Sequence, residues 1–93
     1  MAQELQRREV LYRGMVQGVG FRYSTRMVAE RFRVFGYVQN LSDGRVKLVV
    51  EGSEAELDRF LAAVYAEMDK FIDDADVTTP PATGEFSRFT IRF

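Results

Sequence analysis

The stretch Gly14–Arg22, which reads GMVQGVGFR, is the part of this sequence best suited to chemistry, because it holds three glycines followed by an arginine. Glycines let successive backbone N–H groups turn toward one point, and a helix that starts at Phe21 would add N–H groups without partners. Arg22 could then bind two phosphate oxygens at once. The stretch predicts an anion-binding loop. From the residues alone, a tight strand-to-helix turn with a solvated arginine explains it equally well.

The known nucleotide-binding loops do not fit this stretch. A Walker A loop needs a Lys followed by Ser or Thr after its last glycine, and no Lys lies near. A dinucleotide-binding GxGxxG pattern would need glycine at position 23, where the chain has Tyr23. Any anion bound here is therefore not expected to be held by a nucleotide motif.

The composition excludes several other kinds of site. The chain has 93 residues, 46% hydrophobic and 29% charged, as expected for one small globular domain. It has no cysteine and no histidine, so thiolate zinc sites, cysteine nucleophiles and histidine bases are excluded. No apolar run approaches the roughly 18 residues of a membrane span, and the polar start does not resemble a signal peptide. We therefore predict a cytoplasmic protein.

Charge is distributed unevenly along the chain. Residues 1–50 hold nine Arg or Lys and four Asp or Glu, whereas residues 51–93 hold four bases and ten acids. An anionic ligand is expected to meet the first half. Solvated faces of helices and strands would give the same counts.

Hydrophobic periodicity places the loop between a strand and a helix. Phe21, Thr25, Val28 and Phe32 have the spacing of one helix face, and Ser53 with Glu56 has the spacing of a capping box before a second helix. Asp43-Gly44 is typical of a hairpin. The predicted elements are a strand over 10–13, a helix from 21 to near 33, strands over 34–41 and 45–51, a helix ending at Met68, a short strand around Val77, and a strand over 89–93.

This order predicts an α+β fold, the ferredoxin-like split β-α-β sandwich with two helices on one face of an antiparallel sheet. The order is β-α-β-β-α-β, and the short strand near Val77 would be an extra strand before the last one. Residues 9–93 would form the domain, and residues 1–8 a flexible N-terminal extension. Asp69, Asp73, Asp74 and Asp76 are expected in a solvated acidic loop. The fold alone does not indicate a function.

Four stretches of the sequence resemble one known family. Gly14–Arg22 resembles the acylphosphatase signature G-x-V-Q-G-V-x-F-R, and every specified position is met. The similarity continues through GYVQN at 36–40, SDGRV at 42–46 and GEFSRF at 84–89, so it covers nearly the whole chain. It implies an acylphosphatase-like domain.

The resemblance implies hydrolysis of acyl phosphates to carboxylate and inorganic phosphate, without metal or cofactor. Arg22 would bind the phosphoryl group, and Asn40 would hold the attacking water through its side-chain amide. The loop amides would assist Arg22, and the loop residues implied are Gly14, Gln17, Gly18, Val19, Gly20 and Phe21. Two positions depart from the pattern of many members. Arg33 replaces a glycine at the end of the first helix, which would cost about 1 kcal/mol in a left-handed conformation, and Leu41 replaces a threonine after Asn40.

The residue types suit this reaction. Phosphoryl transfer needs positioning and charge stabilisation more than covalent chemistry. A carboxylate leaving group, with a pKa of about 4, departs at neutral pH without a general acid. An oriented water could pass its proton to a phosphate oxygen, so no histidine is required.

Two other function classes share the predicted fold. An RNA-recognition module is one, but Arg45–Glu51 carries no aromatic residue for base stacking, so we predict no nucleic-acid binding. A regulatory domain with a vestigial loop is the other, and the presence of both Arg22 and Asn40 argues against it. The predicted partners are a small acyl phosphate and inorganic phosphate, and the chain is expected to be a freestanding monomer.

The predicted faces of the helices and strands assign the aromatic residues either to the core or to the site. Phe32, Phe60, Phe89 and Phe93 lie on predicted core faces. Tyr12, Tyr23 and Tyr37 are candidates for the mouth of the site, although core or rim packing explains them as well.

Overall fold

The computed structural model describes residues 4–93. It contains two α-helices, one short 3₁₀ turn and five strands. Their bounds are β1 Gln6–Gly14, α1 Phe21–Ala29, β2 Phe35–Asn40, β3 Val46–Gly52, α2 Glu54–Met68, a 3₁₀ turn Asp69–Phe71, β4 Ile72–Thr78 and β5 Phe89–Arg92.

The five strands form one open sheet in the order β4-β1-β3-β2-β5. Four of them make the antiparallel ferredoxin-like set, but β5 runs parallel to β2, so the sheet is mixed rather than antiparallel. The strand around Val77 and the strand at 89–92 have each other's predicted place in the sheet. The strand around Val77 is the fourth strand of the ferredoxin-like set, and the strand at 89–92 is the added edge strand.

The predicted acidic loop is wrong for three of its four aspartates. Asp73, Asp74 and Asp76 lie in β4, which is seven residues long and pairs with β1 through six of them, with Asp73 passed over at a register shift. Their carboxylates are exposed because β4 is an edge strand, and Arg13 of β1 lies within 3.5 Å of Asp74 and 3.3 Å of Asp76. Cross-strand ion pairing therefore accommodates an acidic sequence in a strand.

The predicted flexible extension over residues 1–8 is also too long. Gln6, Arg7 and Arg8 belong to β1 and pair with Gly52, Glu51 and Val50 of β3. Residues 1–3 lie outside the described residues.

Both helices pack on one face of the sheet, as predicted. In α1 the buried positions include Phe21, Thr25 and Val28, which confirms its predicted face. Phe60 of α2 is fully buried with its ring 6.2 Å from that of Phe32 and 5.7 Å from that of Phe89. These aromatic contacts join α2 to the turn after α1 and to β5.

Helix α1 ends earlier than expected. It stops at Ala29 and is followed by hydrogen bonds from Arg31 N–H to Val28 O and from Phe32 N–H to Ala29 O. Among residues 4–93 no residue other than glycine has a positive φ, so Arg33 carries no left-handed strain. Its N–H instead donates to Glu56 Oε1 at 2.8 Å, while Glu56 N–H donates to the capping Ser53 Oγ. The carboxylate of Glu56 thus binds the turn after α1 rather than completing the capping box.

The other face of the sheet is partly covered by the segment 79–88, which joins β4 to β5. Glu51 of β3 is 2% exposed beneath it and accepts hydrogen bonds from the N–H groups of Thr83 and Gly84, both at 2.9 Å. Phe86 packs against Tyr37 of β2, with ring centroids 5.9 Å apart. This cover buries two residues of β3, Val49 and Glu51, on the face away from the helices.

Neither helix within residues 4–93 is long and apolar enough to cross a membrane.

Candidate active site

The loop between β1 and α1 owes its shape to two glycines. Gly18 and Gly20 both have φ 78°, a conformation that costs other residues about 1–2 kcal/mol. An added Cβ at either position would meet no atom within 4 Å. Backbone conformation, not lack of room, therefore requires glycine here, and the space beside the backbone is open to a ligand.

Helix α1 begins directly after this loop with an uncapped end. Gly20 is its N-cap and has no side chain to accept from the first turn, and the first turn contains no acidic residue. Ser24 N–H makes the first helical bond, to Gly20 O at 2.9 Å. The N–H groups of Phe21, Arg22 and Tyr23 therefore have no acceptor within the helix, and the positive end of its dipole favours an anion.

A cavity of about 180 Å³ lies at this helix end. It brings Arg22 and Asn40 together, although they are on different elements of the fold. The lining residues are Val16, Gly18, Gly20, Phe21, Arg22, Tyr23, Asn40, Ile91 and Phe93.

Asn40 is the last residue of β2, and its side chain is not satisfied by the protein. Its Oδ1 atom is buried without a hydrogen-bond partner among residues 4–93. A buried amide oxygen left without a partner costs about 1–3 kcal/mol. Because Asn40 also lines the cavity, its unsatisfied amide is suited to bind a water or a ligand that donates a hydrogen bond.

Arg22 is half-buried and makes no salt bridge with any carboxylate in the described part of the chain. Its guanidinium carbon lies 5.0 Å from the ring centroid of Phe93. A cation–π contact of this kind uses the charge of the guanidinium and none of its N–H donors. Arg22 can therefore bind an oxyanion in the plane of its guanidinium.

Gln17 has a different position from the glycines near it. Its Nε2 atom donates to Leu41 O at 2.8 Å and to Arg45 O at 2.9 Å, both in the turn between β2 and β3. The side chain thus ties the loop to the residue that follows Asn40. It does not line the cavity.

Gly14 and Val19, also predicted in the loop site, are outside the cavity lining as well. Gly14 ends β1, and a Cβ there would lie 2.5 Å from Phe71 O, so glycine permits the close approach to the chain before β4. Val19 packs against the hydrophobic core. The structure therefore brings together Arg22, Asn40, Gly18, Gly20 and Phe21.

Only one of the three tyrosines considered for the mouth lines the cavity. Tyr23 does so and is 66% exposed. Tyr12 is buried against Phe21, with ring centroids 5.0 Å apart, and burial raises the pKa of its hydroxyl. Tyr37 lies on the far face of the sheet, where the guanidinium of Arg92 is 3.6 Å from its ring centroid.

Three lining residues were not predicted as site residues: Val16, Ile91 and Phe93. Val16 lies within the glycine-rich stretch, so the predicted loop residues on either side of it could have pointed to it as a site residue. Ile91 and Phe93 reach the site because β5 runs parallel to β2, with Ile91 opposite Val38. Alternation alone assigned Phe93 to the core, whereas it is 95% exposed.

Other hollows in the surface are less suited to an anion. One of about 480 Å³ is lined by Arg13 and Arg45, but Arg13 lies beside Asp74 and Asp76, and Arg45 lies 2.8 Å from Asp43. A groove of about 600 Å³ beside α1 contains neither Asn40 nor the loop glycines. No group of three metal-ligating side chains occurs within residues 4–93.

Comparisons with known proteins show which family this chain resembles. The acylphosphatase family profile matches residues 8–91. An acylphosphatase of Lactobacillus johnsonii is 38% identical over 80 residues, which are 84% of this chain and 88% of that protein. An acylphosphatase of Paenarthrobacter aurescens is 40% identical over 79 residues, 84% of each chain. The crystal structure of acylphosphatase from Bacillus subtilis superposes with a TM-score of 0.81 at 36% identity, covering 97% of this chain and 100% of that one.

The profile match spans the loop, both helices and the strands that carry the lining residues, and the resemblance seen in the sequence is thereby confirmed. The family's function is the hydrolysis of acyl phosphates, a reaction at an acid anhydride. On these findings, the chain belongs to the acylphosphatase family.

Proposed function

We propose that this chain hydrolyses acyl phosphates in the cavity lined by Arg22 and Asn40, with the phosphoryl group bound by Arg22 and by backbone N–H groups of the loop and of the first turn of α1. One observation carries the proposal. Asn40, whose buried Oδ1 has no hydrogen-bond partner in the described chain, lines the same small cavity as an arginine with no carboxylate partner there.

The phosphoryl group needs several donors, and the site offers them from two sources. The guanidinium of Arg22 supplies two parallel N–H donors. The uncapped first turn of α1 and the open backbone at Gly18 and Gly20 supply amide N–H groups. Donors of this kind stabilise the charge that develops on the equatorial oxygens in the transition state.

The attacking water would be oriented by Asn40. Its Oδ1 would accept a hydrogen bond from the water, which leaves a lone pair of the water oxygen directed at phosphorus. The bond from this oxygen to phosphorus forms while the bond from phosphorus to the acyl oxygen breaks. The carboxylate leaves with its electron pair, and the water proton passes to a phosphate oxygen. An acyl phosphate dianion and water thus give a carboxylate and dihydrogen phosphate.

No protein acid or base is required in this scheme. The leaving carboxylate has a conjugate-acid pKa of about 4, so it departs unprotonated at neutral pH. The roles left for the protein are to hold the phosphate, orient the water and stabilise charge. Gln17 supports them by fixing the loop to the chain after Asn40.

Hydrolysis of benzoyl phosphate by the purified protein in ¹⁸O-labelled water, with a chelator present, tests this scheme. We expect benzoate and phosphate in equal amounts, inhibition by inorganic phosphate, and the label in phosphate. Label in benzoate would show attack at the carbonyl carbon and would overturn the role given to Asn40. Absence of hydrolysis would overturn the proposed function itself.

The expectations of a monomer, a cytoplasmic location and no nucleic-acid binding remain predictions from the sequence. For nucleic acid, the segment 79–88 gives further support, because it covers part of the sheet face that RNA-recognition modules use for stacking. Light scattering after size-exclusion chromatography tests the monomer, and an RNA titration at several salt concentrations tests the third prediction.

A further inference from the structure

The residues that line the cavity are of two chemical kinds, which we call the polar wall and the apolar wall. One wall is polar and consists of Gly18, Gly20, Arg22 and Asn40. The other is apolar and includes Tyr23 from α1 and Ile91 and Phe93 from the C-terminal strand and its end. The proposed function uses only the polar wall.

The aromatic residues of the apolar wall are exposed. Tyr23 is 66% exposed and Phe93 is 95% exposed, so both rings present free surface beside the cavity. The guanidinium carbon of Arg22 lies 5.0 Å from the ring centroid of Phe93, so this ring stands next to the arginine proposed to bind the phosphoryl group. Ile91 is half-buried and packs against the core, which fixes its place in the cavity lining.

The position of these residues follows from the parallel pairing of β5 with β2. Ile91 is opposite Val38 and Arg92 is opposite Gln39, so the chain reaches the end of β2 as it arrives at Phe93. Asn40, the residue proposed to orient water, lies at that same end. A group attached to a phosphoryl bound by Arg22 is therefore within reach of the apolar wall.

We infer that Tyr23, Ile91 and Phe93 form a subsite for the acyl group, and that this subsite favours an aromatic acyl group over an acetyl group. The inference rests on the proposed function. The physical reason is that a flat ring can cover apolar surface of Ile91 and contact the aromatic side chains, whereas a methyl group covers little of any of them. Aromatic rings also pair with one another in offset or edge-to-face contacts.

The test compares kcat/KM for benzoyl phosphate and acetyl phosphate in the wild type and in variants. The ratio of the two values in a variant, divided by that in the wild type, removes the difference in the intrinsic reactivity of the substrates. We expect the preference for benzoyl phosphate to fall about tenfold in Phe93→Ala and about threefold in Tyr23→Ala. These effects are small for an apolar pocket, because both rings are open to water. Tyr65→Ala is the matched control, because Tyr65 is an exposed tyrosine on α2 outside the cavity lining.

Inhibition by inorganic phosphate separates specificity from structure. It should change less than about twofold in Tyr23→Ala, because phosphate does not extend to the apolar wall. If Phe93→Ala lowers activity on both substrates equally and weakens phosphate inhibition, Phe93 only positions Arg22 and its place in the subsite is wrong. An unchanged preference in both variants would overturn the inference.

Binding of phenylphosphonate and methylphosphonate gives a second readout that does not depend on turnover. We expect phenylphosphonate to bind about tenfold more tightly to the wild type and this advantage to shrink in Tyr23→Ala. Equal binding of the two would overturn the subsite even if hydrolysis is observed. Tighter binding of phenylphosphonate without any hydrolysis would instead support the subsite and overturn the proposed function.

Discussion

Arg7 is largely buried and Arg22 is half-buried, and the two arginines have different surroundings. Arg7 is 12% exposed on β1 and contacts three carboxylates, Glu9 at 2.8 Å, Glu51 at 2.9 Å and Glu85 at 3.4 Å. Arg22 on α1 has no carboxylate partner among residues 4–93 and lies against the ring of Phe93. A guanidinium surrounded by carboxylates serves structure, whereas one left without them beside a cavity is available to an anion from outside.

The two regions differ in the same way around the arginines. Glu51 accepts from Arg7, Thr83 and Gly84, so the buried charge there is fully compensated. Asn40 lines the cavity, and its buried Oδ1 has no partner within the described chain. The compensated region holds the segment 79–88 against the sheet, and this segment leads into β5, which carries Ile91 to the cavity. The first region thereby helps to build the second.

The largest expected effect is on catalysis by Arg22→Lys. An ammonium cannot make the planar pair of hydrogen bonds, so kcat/KM should fall about 10³-fold and inhibition by phosphate should weaken. Arg7→Lys is the matched control and should change kcat/KM by less than about threefold while lowering the free energy of unfolding. Equal loss of activity in both variants would remove the distinction between the two arginines.

Asn40→Ala is expected to lower kcat about 10²-fold, because the attacking water loses its acceptor. Inhibition by inorganic phosphate should stay within about twofold of the wild type, since the phosphate is held by other groups. Gln39→Ala is the control, because Gln39 is the neighbouring residue on β2 and strand alternation places it on the opposite face. Benzoyl phosphate hydrolysis at the parent rate by the Asn40 variant would contradict the water-orienting role.

Glu51→Gln should act on stability and leave the chemistry intact. The free energy of unfolding should fall by about 2 kcal/mol, because charged hydrogen bonds from Arg7 and two N–H groups become weaker neutral ones. Urea unfolding measures this, and kcat at a temperature where the variant is folded should remain near that of the wild type. Glu85→Gln is the control, with a cost below about 1 kcal/mol because its side chain is 58% exposed. A stable Glu51→Gln protein with lost activity would contradict the division of roles.

The smallest expected effect is the pH dependence that Glu51 contributes. Burial raises the pKa of Glu51, but hydrogen bonds from Thr83 N–H, Arg7 and Gly84 N–H outweigh it and hold the pKa below the usual 4.5. The contribution is therefore present above pH 4.5 and is lost as the pH falls through the lowered folded-state pKa. In urea titrations, the stability difference between the wild type and Glu51→Gln should be constant near neutral pH and narrow in acid below pH 4.5. A difference that grows on acidification would contradict this sign.

Sequence patterns predicted the parts of the fold that have clear periodicity. Phe21, Thr25 and Val28 gave the buried face of α1, and Ser53 gave the start of α2. Only the part of β4 around Val77 was predicted, because the aspartates before it lie on an edge strand, where exposure and ion pairs with Arg13 replace the usual alternation. The parallel pairing of β5 was missed since it depends on tertiary packing and not on local pattern.

For the site, the glycine-rich motif and Asn40 led to residues that the structure brings to one cavity. The motif could not separate Gly18 and Gly20, which line it, from Gly14 and Gln17, which shape the surrounding chain. Phe93 was assigned to the core because alternation does not show that β5 ends at an open cavity. The contact between Glu51 and Arg7 could not be predicted from local sequence patterns, because the two residues are 44 positions apart.

A crystal structure of the protein with bound inorganic phosphate tests the central claim most directly. We predict one phosphate whose oxygens lie within about 2.7–3.2 Å of the Arg22 guanidinium and of amide N–H groups between Gly18 and Tyr23. Asn40 Oδ1 should face a phosphate oxygen or a water that lies next to the phosphate. Phosphate bound instead between Arg13 and Arg45, or bound by Arg22 with Asn40 directed away from it, would contradict the account.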